Sequence, residues 1–373
     1  MATTTSPTTG AGGPQQARGG SGPALFVAVA VLLAAVYSFW HRSPPPFPAT
    51  RVHADRLMVN GLAHREGRLV GVGELGRILY ADDASGPWEE AKVEPQRGST
   101  LNQVLFVDDK TALAVGHDSW IVRSEDRGQT WREIQFDGER SEPLLGIAGP
   151  FDGKLYAFGA FGQFLVSTDL GRSWTRQPLV EDVDPAKAAA LKKAAEEDPY
   201  GAGLQGGGGI AERHLNAMTR AADGSLWLVG ERGLLARSVD GGQTWKAQPE
   251  IYAGSFFGIL ALPSGQMLVH GMRGNAFVSR DDGKTWTRSK IPEQVSLFGA
   301  AATSGGKLIL AGASNAVLVS EDGGTTFKRV SAEDRLGLTA VLPLKNGSWL
   351  TAGEGGIREQ QPATQVPTQE DLK

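Results

Sequence analysis

Ser124-Glu125-Asp126-Arg127-Gly128-Gln129-Thr130-Trp131 is the stretch that decides the fold, because it returns four more times. The further copies run Ser167 to Trp174, Ser238 to Trp245, Ser279 to Trp286 and Ser320 to Phe327, and a decayed one runs from Ala81 through Asp83 to Trp88. The closing aromatics lie 41–43 residues apart, except for 71 between Trp174 and Trp245, which is one repeat plus an insertion. Around each copy the pattern is constant: an apolar stretch, a turn, a second apolar stretch, a Gly-x-x-Gly turn, a third stretch, the Asp-containing turn and an outer strand. Four short antiparallel strands in about 40 residues is the signature of a propeller blade.

Blades are expected to begin near Leu57, Leu101, Leu144, Leu215, Phe256, Leu297 and Leu338, which makes an all-β, seven-bladed propeller over 51–358. The seventh has no Asp turn, so Arg51 to Asp55 is expected to donate its outer strand and close the ring. A tail of 359–373 follows.

In the repeated turn, Asp can accept backbone N–H bonds, Gly supplies a left-handed conformation and Trp packs between sheets. Asp83, Asp126, Asp169, Asp240, Asp281 and Asp322 are therefore read as structural. Repeated around a ring, they cannot converge on one substrate.

The chain has 373 residues, no cysteine, six histidines and a net charge of −4. Disulfides and Cys-ligated metals are excluded, no metal or other cofactor is expected, and no basic field favours nucleic acid. Residues 1–22 are rich in Thr, Ser, Gly and Pro. Ala24 to Trp40 is free of charge, and 23–41 reads as a transmembrane anchor. A cleaved signal peptide is opposed by the bulky Ser38-Phe39-Trp40. A Pro-rich linker, 42–50, leads to the propeller, which is expected outside the cytoplasm.

The motif Ser-x-Asp-x-Gly-x-x-Trp resembles the Asp-box, or bacterial neuraminidase repeat. A sialidase would also show an Arg triad and a Tyr–Glu pair, and the Arg-Ile-Pro of its first blade is replaced here by Leu57-Met58-Val59. A two-carboxylate glycosidase stays open as the alternative, because Glu74, Glu231 and Glu354 share equivalent turns. Over 52–357 the repeat is more similar to the photosystem II stability and assembly factor family, on Gly230-Glu231-Arg232-Gly233, Ser238 to Trp245, Gly271-Met272-Arg273-Gly274 and Ser320 to Phe327. That resemblance implies a non-catalytic, membrane-associated factor on the lumenal or periplasmic side. Its non-photosynthetic relatives resemble accessory proteins of resistance-nodulation-division exporters. The anchor without a lipoprotein Cys and the long insertion depart from the photosynthetic pattern, so the expected partner is a membrane protein complex in general.

The turns between second and third strands share a face with the links between blades. Glu74, His117, Asp118, Glu231, Arg232, Arg273, Asn315 and Glu354 are the candidate binding residues there. The insertion, 180–213, projects from the same face. Asp184-Pro185 opens a helix expected over Ala186 to Glu197.

Overall fold

The computed structural model describes residues 22–39, 53–183, 193, 209–332 and 334–360. Two compact units are present, Met1–Arg51 and Val52–Lys373. In the first, Gly22–Phe39 is an α-helix of 18 residues whose large side chains, among them Leu25, Phe26, Leu32 and Leu33, are exposed. Among the described residues no helix is long and apolar enough to cross a membrane. At 1.5 Å per residue the helix reaches about 27 Å, short of the roughly 20 residues a bilayer core asks for. The expected span is therefore present as an apolar helix and not as a demonstrated crossing.

The second unit is a propeller of seven sheets. First strands are Val59–Arg65, Leu101–Phe106, Leu144–Phe151, Leu215–Arg220, Phe256–Ala261, Leu297–Ala302 and Leu338–Pro343. Each is followed by antiparallel second and third strands, and in blades 1 to 6 by a short outer strand after the Asp-containing turn. Two sheets gain a fifth strand. Lys92–Glu94 runs parallel to the outer strand of blade 2, and Val180–Glu181 parallel to that of blade 4. The chain leaving one blade thus straps the outer edge of the next.

The core is divided among the gaps between blades. Val70, Val72 and Ile78 of blade 1 pack with Leu101, Val104 and Trp120 of blade 2. Leu69 and Leu79, on the opposite face of the same sheet, pack with Leu350, Ala352 and Ile357 of blade 7. Neighbouring residues in one strand serve different interfaces, so second strands read as continuous apolar runs such as Leu69-Val70-Gly71-Val72.

The Asp-containing turns match their expected role. Asp126 accepts from the backbone N–H of Gln129 and Thr130 (3.0 and 2.9 Å) and from the Ser124 and Thr130 hydroxyls. Trp131 Nε1 closes the turn on Gly128 O at 2.9 Å. Hydrogen bonds from Ser and Thr and from turn N–H groups, opposed by partial burial, hold Asp169, Asp240, Asp281 and Asp322 down to about 2. In the decayed copy Asp83 is held chiefly by the Ser85 hydroxyl and N–H, at 2.6 and 2.8 Å.

Ring closure differs from the expectation. Blade 7 has three strands among the described residues, and its third, Gly356–Gln360, runs past the expected start of the tail. His53 to Asp55 is not an outer strand: Ala54–Arg56 is a 3₁₀ turn, and Arg51 and Val52 lie outside the described residues. Steric contact gives the reason. A Cβ on Gly356 would meet Ala54 O at 2.1 Å, as one on Gly162 would meet Ala211 O at 2.1 Å and one on Gly274 would meet Glu293 O at 2.2 Å. Residues 54–56 therefore cross the preceding blade's turn as the other links do. Closure is completed by the cluster shared between blades 7 and 1 and by Thr339 Oγ1 donating to Val59 O at 2.8 Å.

Gly283 and Gly306 share a φ of +81°, but a Cβ on Gly283 would lie 2.3 Å from the Trp227 ring of the preceding blade, whereas nothing lies near Gly306. Gly306→Ala should cost about 1 kcal/mol, the left-handed strain alone. Gly283→Ala should cost clearly more, read by thermal unfolding. Equal losses would show that the Asp-box glycine is not an interblade contact.

Candidate functional site

All seven blades slip register at the same place. The pairing of first and second strands shifts between Val59 and Gly61, Leu101 and Gln103, Leu144 and Gly146, Leu215 and Ala217, Phe256 and Gly258, Leu297 and Gly299, and Leu338 and Ala340. A bulge leaves one residue unpaired and re-aims its side chain. Here the unpaired residues are Asn60, Asn102, Leu145, Asn216, Phe257, Phe298 and Thr339, and all seven line one central cavity of about 300 Å³.

Four of them stitch the ring. Asn60 Nδ2 donates to Leu101 O at 3.0 Å, Asn102 Nδ2 to Leu144 O at 2.8 Å and Asn216 Nδ2 to Phe256 O at 2.7 Å. The Thr339 bond to Val59 O is the fourth. Blade 5 carries Phe257 at this position, and His270 of its second strand takes over: Nδ1 lies 2.9 Å from Leu297 O. Room for that ring comes from Gly258, whose Cβ would lie 2.2 Å from Nε2. Gly146 makes room for Phe158 in the same way, its Cβ falling 2.3 Å from the ring. Phe257 and Phe298 meet at a centroid distance of 5.0 Å. Among the described residues no Asp, Glu, Lys or Arg lines the cavity.

Outside the cavity, the turns between second and third strands form the link face. Leu75-Gly76, Asp118-Ser119, Phe161-Gly162, Arg232-Gly233, Arg273-Gly274 and Ser314-Asn315 are consecutive left-handed pairs, the conformation of a tight hairpin turn. Each sequence-derived candidate falls on one of these turns except Glu354, which stands on the corresponding turn of blade 7, where Gly356 alone is left-handed. Glu74, His117 and Arg273 are exposed, with no side-chain partner among the described residues. Asp118 accepts from Ser99 Oγ at 2.5 Å, Asn315 donates to Ala332 O at 3.1 Å and Glu354 accepts from Gly337 N at 3.0 Å. Glu231 lies 3.7 Å from His214 Nδ1 and 4.0 Å from Arg232 Nε. Glu74, Glu231 and Glu354 stand on blades 1, 4 and 7, and none of them lines the central cavity.

Sequence reasoning missed Leu75 and Phe161, which are left-handed yet 64% and 62% exposed. Phe161 also meets His214 edge to face at 4.8 Å. Both occupy the Gly-x-x-Gly position where charged residues were sought. The helix expected over 186–197 and its Asp184-Pro185 start lie outside the described residues, Lys193 excepted. The stems of the insertion are firm: Ile210 is buried between blades 3 and 4, and its N–H reaches Glu181 Oε2 at 3.1 Å.

Neither a protein-family model nor a curated protein sequence matches the chain. Solved structures do. One described as YCF48 bound to D1 peptide is 17% identical, with a TM-score of 0.59 over 85% of this chain and 96% of that one. YCF48 from Cyanidioschyzon merolae is 14% identical, with a TM-score of 0.61 over 82% and 96%. The chain is a seven-bladed propeller structurally similar to YCF48. A streptogramin B lyase, 12% identical, superposes equally well, with a TM-score of 0.62 over 83% and 95%. At these identities the likeness is one of fold.

Burial lowers His270 to about 4 against an ordinary 6.5, the bond to Leu297 O opposing the shift. The unfolded chain therefore takes the proton first. Stability is full above about pH 6.5 and falls as pH drops towards 4. In His270→Asn, with an amide like those of Asn60 and Asn102, denaturant midpoints should fall less between pH 7.5 and 5. An unchanged pH slope would mean that His270 titrates normally.

Proposed function

We propose that this chain is a non-catalytic accessory or assembly factor that binds a membrane protein complex through the link face of its propeller. The observation that carries the reading is the fold likeness to a propeller solved with a peptide bound. The link face supports it independently. Left-handed backbone costs a non-glycine residue about 1 kcal/mol or more. At Leu75, 64% exposed, little burial of the side chain offsets that cost, and at Phe161 the edge-to-face contact with His214 covers one part of a ring still 62% exposed, as expected where a bulky apolar group is kept for contact with another molecule. Arg232 and Arg273 hold the equivalent turn position on blades 4 and 5 and would meet an acidic surface.

The carbohydrate-active alternative needs two carboxyls flanking a bond, and the central cavity has none in its lining. The apolar helix Gly22–Phe39, exposed on its large side chains, serves in this reading as the membrane tether, with the propeller on the extracytoplasmic side. The partner could belong to a photosystem or to an exporter of the resistance-nodulation-division type.

Crosslinking in membranes, followed by affinity capture and mass spectrometry, tests the interface. The pair Arg232→Glu and Arg273→Glu should keep the parent circular dichroism spectrum and lose most of the captured partner. Deleting 184–208 while keeping Ile210 should also leave the propeller folded. Full capture by the charge-reversed pair would move recognition away from these turns. The tether is checked separately: full-length chain should sediment with membranes, and chain found wholly in the supernatant would remove the anchoring role.

A further inference from the structure

The central cavity has a chemistry of its own, independent of partner binding at the rim. Asn60, Asn102 and Asn216 each give Nδ2 to a backbone carbonyl of the next blade. A carbonyl can only accept, so these bonds fix the amide orientation and leave each Oδ1 without a partner among the described residues. The same logic applies to His270: Nδ1 must carry the proton toward Leu297 O, so Nε2 presents a lone pair beside Gly258, another lining residue. Four acceptors from blades 1, 2, 4 and 5 thus border one space, joined by one donor group, since Gln103 accepts from Ile147 N at 2.8 Å through Oε1 and keeps its Nε2 hydrogens; the ring is already closed without using them.

A ligand for this space must bring donors for the four acceptors and an acceptor for Gln103. A carboxylate or phosphate brings acceptors only. An ammonium or guanidinium brings donors but also a charge, and no Asp or Glu in the lining would compensate it on desolvation. Hydroxyl groups satisfy both conditions. The remaining bulge positions supply an apolar wall: Phe298, 39% exposed, lies against Phe257 in blades 5 and 6. Exposed aromatic rings beside fixed polar groups suit a ring with C–H bonds on its face and hydroxyls at its edge. A volume of about 300 Å³ is at the small end of ligand pockets and suits one such ring.

We propose that the channel mouth binds a single neutral polyhydroxylated ring, of the pyranose or cyclitol type, with the amide oxygens of Asn60, Asn102 and Asn216 and His270 Nε2 as acceptors and Phe257 and Phe298 as the stacking wall. The cavity lining lacks the carboxyl pair of glycoside hydrolysis, so the site holds such a ring without cleaving it.

Saturation-transfer NMR on the full chain tests this with methyl glycosides of glucose, galactose, mannose and N-acetylglucosamine and with myo-inositol as probes. Butylammonium and butyrate serve as charged comparators. At least one neutral probe should show transfer with millimolar affinity. That affinity should fall at least fivefold in Phe298→Ala and in Phe257→Ala, whichever variants keep the parent thermal unfolding, and should not change in Arg273→Glu. Transfer to none of the neutral probes would overturn the proposal and leave the amides as ring clamps only. So would transfer unaltered by both Phe variants, or stronger transfer to either charged probe.

Discussion

A blade of this propeller has two apolar faces and cannot cover either from within itself. Leu69 and Val70, adjacent in one strand, are buried in different interblade clusters, so no sheet is complete without both neighbours. Trp131, Trp227 and Trp245 are wholly buried in this way. Each such aromatic contributes about 2–3 kcal/mol by burial, against about 1 kcal/mol for a net hydrogen bond in an Asp-containing turn. Packing between blades holds the ring together, and the turns set the distance at which blades meet. That explains why their glycines are crowded as well as left-handed: Gly171 abuts Leu113 and Gly324 abuts Val278, each in the preceding blade.

The same dependence fixes where chemistry can appear. The faces of every blade are consumed by packing, which leaves the two ends of the ring and its central channel. The bulge at the start of each first strand is the one irregularity common to all seven sheets, and it turns a side chain out of the packed interface. Where that side chain is Asn or Thr it clamps the next blade. Blade 5 needs His270 and Gly258 together for the same bond. The clamp thus recurs in five of the seven blades through different residues, while blades 3 and 6 carry Leu145 and Phe298 there, and this variation gives the channel its polar and aromatic sides.

Much of this was legible in the repeated octapeptide. Six of the seven blade starts follow from its period, because the period is set by four strands and their turns, a local property. Blade 1 begins at Val59 and not Leu57 because residues 54–56 are occupied in crossing the turn of blade 7, a contact between chain ends that no local pattern carries. The link-face residues were legible as exposed, since charged residues in tight turns have nowhere else to go, but their partners were not. Glu354 binds Gly337 N and Asp118 binds Ser99 through folding of the link segments. The channel residues were illegible for another reason. Asn, Leu, Phe and Thr share no chemistry, and only the register slip equates them. A trace did exist in Asn60-Gly61 and Phe298-Gly299, where a small residue follows the bulge because the next strand passes close by: a Cβ on Gly61 or Gly299 would lie 3.0 Å from the neighbouring backbone.

The two ends of the ring differ in what they leave unused. At the Asp-box end each well-formed carboxylate is satisfied inside its own turn. Asp240, for instance, accepts from Ser238, Gln243 and Thr244 and is held at about 2 by these bonds. A partner would have to break internal bonds to engage it. At the link end Glu74, His117 and Arg273 have no protein partner among the described residues, and Leu75 and Phe161 hold costly backbone conformations with their side chains exposed. An internally satisfied surface gains little from a new contact, whereas an unsatisfied and strained one gains more. Left-handed and exposed apolar residues are not peculiar to this end, since Leu170 of an Asp-containing turn is left-handed and 38% exposed and Val239 is 77% exposed; the difference between the ends rests on the carboxylates, spent within their own turns at one end and, at Glu74, without a partner among the described residues at the other.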